Sequence, residues 1–141
     1  MESNLKLEKQ LCFKIYSAER RITKLYRGLL DEIGVTYPQY LVLLVLWEKD
    51  SISVKELGEK LFLDSGTLTP MLKRMEANQL LTRSRSKEDE RSVVIALTSR
   101  GKELYKKAEC IPTRLLENIS MDEEELMALN NLLTILMGKQ K

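Results

Sequence analysis

Residues 40–47, YLVLLVLW, carry no charged side chain on any face. A helix that is apolar all round has to be covered on every side, so the rest of the chain must wrap it. The run is far too short to span a bilayer, which leaves the centre of a globular core. It extends into a helix over 36–50, TYPQYLVLLVLWEKD, capped by Thr36. Pro38 falls in its first turn, where the missing N–H costs nothing. The chain has 141 residues, 43% hydrophobic and 31% charged, which suits one domain with a sizeable core. Three prolines and six glycines leave little room for linkers. The amino terminus has no basic-then-apolar signal pattern, so a cytoplasmic protein without membrane contact is expected.

A long first helix is expected from about Ser3, as N-cap, to about Glu32, ending before Gly34. Leu11, Ile15, Ala18, Ile22, Leu25 and Leu29 recur at alternating steps of four and three, which keeps one apolar seam along it. A seam sustained at near-heptad spacing suggests packing against another long helix, one that a second subunit could supply.

Net charge is only +2, so overall basicity does not announce nucleic acid, but charge is segregated along the chain. Lys73, Arg74, Arg83, Arg85 and Lys87 face only Glu76 within 73–87, whereas 117–125 holds Glu117, Asp122, Glu123, Glu124 and Glu125 and no basic residue. Residues 51–81 read as two short helices with a tight connection: Val54, Leu57 and Leu61 line one, and Leu68, Met71, Leu72 and Met75 line the other. Around 80–98 the period changes to strand alternation at Val93, Ile95 and Leu97, with the charged tip SKEDER joining it to an earlier strand at 80–85. Thr98 or Ser99 then caps a helix to about Glu109 that continues loosely past Pro112. Ser120 with Glu123 forms a capping box for a last helix to Met137. The expected fold is mainly α: a winged helix–turn–helix with a two-stranded wing over 35–98. Helices over 1–34 and 99–141 form a dimerisation region.

The segment LLTRSRSKEDERSVVIALTSRG resembles the wing of the MarR family of transcriptional regulators, including Asp89-x-Arg91, Leu97-Thr98 and Gly101. The resemblance covers essentially the whole chain. QLCFKIY, TYPQYLVLLVLWE, LFLDSGTLTPMLKRME and KEDERSV look like the organic-hydroperoxide-sensing branch, the OhrR type. Asn78-Gln79 departs from the pattern, standing where many members close the recognition helix with glycine. Asn tolerates the left-handed conformation, so no change of fold is expected.

On a helical wheel of 65–78, Gly66, Pro70, Lys73 and Ala77 lie opposite the inward face, flanked by Thr67, Thr69 and Arg74. Small and hydroxyl-bearing residues followed by cations suit a major-groove reader of double-stranded operator DNA. Asp64 and Ser65 stand at the helix start, where free N–H groups favour phosphate. Pro70 either kinks this helix or marks a later start near Thr67. The resemblance implies that the wing tip enters the adjacent minor groove through Arg91, with Asp89 as its structural partner. Arg83, Arg85 and Lys87 would add salt-sensitive contact. A single winged helix covers few bases, so a homodimer built from both ends of the chain is expected.

Histidine is absent, which excludes His-based catalysis and mixed Cys/His zinc sites; no cofactor or metal is expected. The two cysteines, Cys12 and Cys110, do not make a disulfide scaffold in a reducing compartment. Periodicity alone leaves Cys12 open between core filler and functional thiol. Tyr16 is one turn away on its face. Tyr26 returns within about 40° of that face but about 20 Å along the axis, out of reach within one straight helix. If two first helices cross antiparallel near Glu19, Tyr26 of one chain approaches Cys12 of the other. The resemblance implies that arrangement, with Tyr16 and Tyr26 as thiolate-supporting hydroxyls and Cys12 as the sensor oxidised by an organic hydroperoxide. It also implies Cys110 as a resolving partner across the dimer, releasing DNA. The competing readings are a regulator of the same fold that answers a small non-redox ligand, and a thiol peroxidase. Because no peroxidase motif accompanies Cys12 and the basic wing would go unused, an enzyme is not expected.

Overall fold

The computed structural model describes residues 2–89 and 91–138. The chain opens with two 3-10 turns, Glu2–Leu5 and Leu7–Lys9, and the first long helix, α1, runs Leu11–Asp31. The helix therefore starts a full two turns later than Ser3, which lies inside the first 3-10 turn. Gln10 is the reason. Its backbone is extended, and its side-chain amide donates to the carbonyls of Asn4 (2.6 Å) and Lys6 (3.0 Å). Those bonds satisfy the open end of the turns and stop them from merging with α1.

α2 (Tyr37–Glu48) is the buried centre: Tyr40, Val42, Leu43 and Leu46 are all at most 2% exposed. Thr36 and Gln39 cap it reciprocally, at 3.3 Å and 3.1 Å. It packs against α1, α3 (Val54–Leu61) and α5 (Ser99–Ala108). α3 and α4 (Ser65–Ala77) form the helix–turn–helix, with Leu57, Leu68, Leu72 and Met75 fully buried between them and the sheet. α4 starts at Ser65 under an Asp64 cap, so Pro70 lies inside the helix, beyond the first turn. That settles the choice left open by the sequence.

The wing strands β2 (Leu81–Arg85) and β3 (Val93–Leu97) pair antiparallel from Leu81↔Leu97 to Arg85↔Val93. The sheet has one strand more than the two expected: β1 (Ile52–Ser53) pairs with β3, giving the order β1-β3-β2. Asp50 supports this edge, its Oδ1 accepting the N–H of Ser51 (2.8 Å) and of Leu97 (2.9 Å). Glu76 joins the wing to α4, accepting the backbone N–H of Arg83 (2.9 Å) and its Nε (3.2 Å).

α5 is capped by Thr98, but helix does not continue through Cys110; a separate α6 (Ile111–Glu117) starts there with Pro112 in its first turn. α7 (Glu123–Met137) is capped by Asp122 with Glu125, not by Ser120 with Glu123. Both frames fit the capping-box pattern. The charged carboxylate of Asp122 is the stronger acceptor and wins. No residue of α7 is buried, and Leu132, Ile135 and Leu136 are more than half exposed. No helix among the described residues is long and apolar enough to cross a membrane.

α4 closes through paired bonds from Leu80 N–H to the Met75 carbonyl (3.0 Å) and from Gln79 N–H to that of Glu76 (2.9 Å). The left-handed residue this closure needs is Gln79 (φ 63°), whereas Asn78 keeps φ −83°. The tolerance expected of asparagine is thus not what is used. Gln79→Gly removes the Cβ penalty and is expected to stabilise the fold by about 0.5–1 kcal/mol, read as a higher urea midpoint. Gly101→Ala has the opposite sign, because an added Cβ would run into the Leu80 carbonyl oxygen. A loss of about 2 kcal/mol is expected from that overlap.

The Glu76 carboxyl is held below its ordinary value of 4.5, first by the Arg83 backbone N–H and then by its guanidinium. A depressed carboxylate contributes stability above its unfolded value and loses it as pH falls through the folded one. The advantage of the wild type over Glu76→Gln should therefore be full at neutral pH and decline as the pH falls below the ordinary value of 4.5 towards the depressed folded one. Unfolding midpoints of both proteins across pH 3–7 check it; a constant difference would refute the pairing.

Candidate DNA interface and thiol site

The outward face of α4 has the form expected of it: Ser65, Gly66, Thr67, Pro70, Lys73, Arg74 and Ala77 are exposed, and Thr69 is half-buried. Its first turn is held by local bonds. Asp64 Oδ1 accepts the Thr67 N–H (3.1 Å), and hydrogen bonds with Thr67 hold the Asp64 carboxyl below the usual carboxylate range. Thr69 Oγ1 donates to the Ser65 carbonyl (2.8 Å).

The wing faces the same side. A groove of about 950 Å³ lies between α3, α4 and the wing, and Lys55, Phe62, Ser65, Thr69, Arg83 and Arg91 contribute to its walls. The Arg83 guanidinium is paired with Glu76 across 3.2 Å, so part of its charge is neutralised at the wing root. Arg85 and Lys87 are exposed towards the tip. Asp89 builds the tip turn, with Oδ1 accepting the Arg91 backbone N–H (3.0 Å) and Oδ2 the Ser92 hydroxyl (3.3 Å). Asp89 thus holds the backbone of Arg91, and the Arg91 side chain is exposed. Neither the Glu76 tether nor the groove wall at Lys55 and Phe62 was foreseen. Both depend on how the wing folds back, which charge counting along the chain does not see.

Cys12 is exposed and is the second residue of α1. The later helix start moves Cys12 from the body of the helix to its beginning. Cys12 is in the first turn, where free N–H groups and the positive end of the helix dipole favour negative charge. Tyr16 is exposed one turn on, with the Arg20 guanidinium 5.4 Å from its ring centre.

Tyr26 lies elsewhere, in an aromatic cluster with Tyr37 (4.6 Å between ring centres) and Tyr40 (5.7 Å). Burial, and then the neighbouring tyrosines, push the Tyr26 hydroxyl up to about 12, so it keeps its proton and acts as a donor at physiological pH. Tyr37 is raised as well, by burial and by Glu19. The sequence reading missed Tyr37, although TYPQY sets it three residues before the buried Tyr40. Along α1, Cys12 and Tyr26 remain about 21 Å apart, so one chain does not bring them together.

The two sulfurs are also separated. Cys110 is the N-cap of α6, where the Arg114 guanidinium reaches both its sulfur and Glu32 Oε2 (2.8 Å) at the far end of α1. Cys12 lies about 30 Å from Glu32 along that helix, which excludes a Cys12–Cys110 bond within this chain as folded. Among the described residues, no group of three or more His, Cys, Asp or Glu is placed to hold a metal ion.

The family model for the transcriptional regulators SarA/Rot matches residues 24–108. The organic hydroperoxide resistance transcriptional regulator of Bacillus subtilis strain 168 is 53% identical over 134 residues, covering 95% of this chain and 91% of that protein. Reduced AbfR bound to DNA superposes with a TM-score of 0.82 at 33% identity, over 97% of this chain and 94% of that one. Disulfide-formed AbfR gives 0.67 at 33% identity over 96% of each. These relatives are regulators rather than enzymes, and the AbfR structures match this fold along nearly its full length. The chain belongs to the MarR family of transcriptional regulators.

Proposed function

We propose that this protein is a redox-sensing repressor that binds operator DNA as a reduced homodimer and lets go when an organic hydroperoxide oxidises Cys12. The observation that carries this reading is Cys12 itself: an exposed sulfur in the first turn of a helix whose neighbouring apolar side chains, Leu11, Phe13 and Tyr16, are exposed as well. The 53% identical relative is a regulator of organic hydroperoxide resistance, and the AbfR structures span a reduced DNA-bound form and a disulfide form. Such a regulator works on chromosomal DNA in the cytoplasm.

A second copy supplies what one chain lacks. The uncovered apolar side chains of α1 and α7 provide the area that a dimer interface needs. In an antiparallel crossing about Glu19, the partner's Tyr26 comes to Cys12 and brings Tyr37 with it, since the two rings are 4.6 Å apart. Their hydroxyls donate to the sulfur and favour the thiolate. The crossing also encloses the hydroperoxide against apolar walls.

The thiolate attacks the distal peroxide oxygen. The O–O bond breaks, an S–O bond forms, and the alkoxide leaves as the alcohol after taking a proton; sulfur is oxidised to sulfenic acid and the peroxide is reduced. Cys110 of the other chain then displaces water from the sulfenic sulfur to give an intersubunit disulfide. The 30 Å separation within one chain leaves that route, or a small external thiol, for resolution. Cross-linking α1 to a partner's α6 strains the dimer arrangement and with it the spacing of the two α4 helices.

Cys12→Ser should bind operator as the wild type does and stay bound through a cumene hydroperoxide titration followed by fluorescence anisotropy. Release of that variant would sink the sensor assignment. On a non-reducing gel, oxidised wild type should run as a covalent dimer and Cys110→Ser as a monomer. The DNA side is tested separately with Arg91→Ala, for which about a tenfold loss of affinity and a salt slope shallower by about 1 are expected. An unchanged slope would remove Arg91 from the phosphate contacts.

A further inference from the structure

Phe62 carries two costs that folding does not explain. It forms the turn between α3 and α4 with φ 58° and ψ 39°, the left-handed region that glycine enters freely and a bulky side chain does not. The turn itself is demanding: Leu63 N–H returns to the Gly58 carbonyl (2.9 Å), and the Leu63 carbonyl comes so close to Gly58 that a Cβ there would sit 2.6 Å away. Glycine at position 62 would serve that turn with less strain. The Phe62 ring is also 50% exposed. Among the described residues of the helix–turn–helix and wing, 51–98, it is the one large apolar side chain left exposed; the others lie on α1, α2, α5, α6 and α7 or in the turns before α1. It therefore does not belong to the apolar surface that a second copy would cover.

Its surroundings indicate what would cover it. The ring lines the groove beside Ser65 and Thr69 of the outward face of α4; Lys55, Arg83 and Arg91 share the walls with Glu59 and Asp64, with Arg83 paired to Glu76 and Asp64 engaged as the cap of α4. A partner that spans the exposed Lys73 and Arg74 of α4 and the exposed Arg85, Lys87 and Arg91 of the wing is polyanionic outside, and it offers an isolated apolar spot within reach of the start of α4. Duplex DNA is such a partner, and the apolar spot on its major-groove edge is the 5-methyl group of thymine.

We propose that Phe62 is a specificity-determining residue that packs its ring against a thymine methyl in each half-site. The proposal rests on the DNA-binding reading above and adds a base-specific contact to it. A left-handed aromatic residue at a recognition turn is then a strain retained for function.

The test removes only the methyl. A duplex is selected in vitro with the wild-type protein from a random library, and each thymine is replaced in turn by uracil. For the wild type, one thymine per half-site should lose about fourfold in affinity on replacement, the worth of one buried methyl group. For Phe62→Ala, the thymine and uracil duplexes should bind equally at that position. Phe62→Gly should behave like Phe62→Ala while unfolding at a higher denaturant concentration, so the loss cannot be put down to poor folding. If every uracil duplex ranks the same for wild type and variant, or if the variant weakens all duplexes alike, the thymine contact is overturned while DNA binding stands. If the library yields no selected sequence, the DNA reading itself fails.

Discussion

The DNA-reading module and the helices that follow it meet at the Leu80 carbonyl, and their meeting requires that Gly101 have no side chain. The Leu80 oxygen accepts the Thr98 N–H (3.1 Å), which ends β3, and the backbone of α5 passes over it at Gly101. Thr98 Oγ1 donates to the neighbouring Gln79 carbonyl (2.6 Å) while it caps α5. From the other side, Trp47 Nε1 donates to the Gly101 carbonyl (3.0 Å). The end of the recognition helix, the end of the wing, the start of α5 and the buried α2 are thus fixed by backbone groups in one small volume. Backbone and side-chain donors alike end on main-chain carbonyls there, which ties the end of α4 to the start of α5.

The same junction continues into the aromatic cluster. Trp47 packs edge-on against Tyr105 of α5 (5.5 Å) and Tyr40 of α2 (6.4 Å), and Tyr40 and Tyr37 hold Tyr26 of α1. Rings therefore run from the helix that carries Cys12 to the start of α5, where Trp47 is bonded to Gly101. On the proposed reading, a shift of α1 against its partner meets this chain of rings at Tyr26 and Tyr37. A well-packed interior answers such a shift by changing arrangement as a unit rather than by yielding locally.

The parts of the fold legible in the sequence are those set by periodicity and local capping. The apolar run of α2, the inward face Leu68, Met71, Leu72 and Met75 of α4, and the caps Thr36 and Thr98 all follow from residues a few positions apart. What was misread depends on partners that local pattern does not reveal. β1 has two residues, too few for any alternation to show, and exists because β3 has a free edge. The start of α1 is set by a glutamine side chain reaching back six residues to a carbonyl. The left-handed closure of α4 falls on Gln79 because the bond geometry puts it there, although asparagine next door bears that conformation at lower cost. At the candidate site the sequence located the cations, but not that Arg83 is tied to Glu76 or that Asp89 holds the Arg91 backbone.

The corrected start of α1 changes the account of how Cys12 could react. While the helix seemed to begin near Ser3, only tyrosine hydroxyls, Tyr16 of the same chain and Tyr26 of a second, were available to favour a thiolate. With Gln10 as N-cap, the first-turn N–H groups of each chain's own helix stand beside the sulfur. Helix-end effects at an exposed position are modest and screened by salt. The tyrosine contribution differs in kind. Tyr26 holds its proton to about pH 12, so it donates a hydrogen bond without giving the proton away, and enclosure by a partner removes the water that competes for the sulfur. A thiol activated only by its helix end would react equally well in a lone chain and would decouple oxidation from DNA binding. A thiol completed by its partner's tyrosines is most reactive in the assembly that holds two recognition helices on one operator. On the proposed reading, oxidation then acts on the dimer, which is the form able to hold an operator.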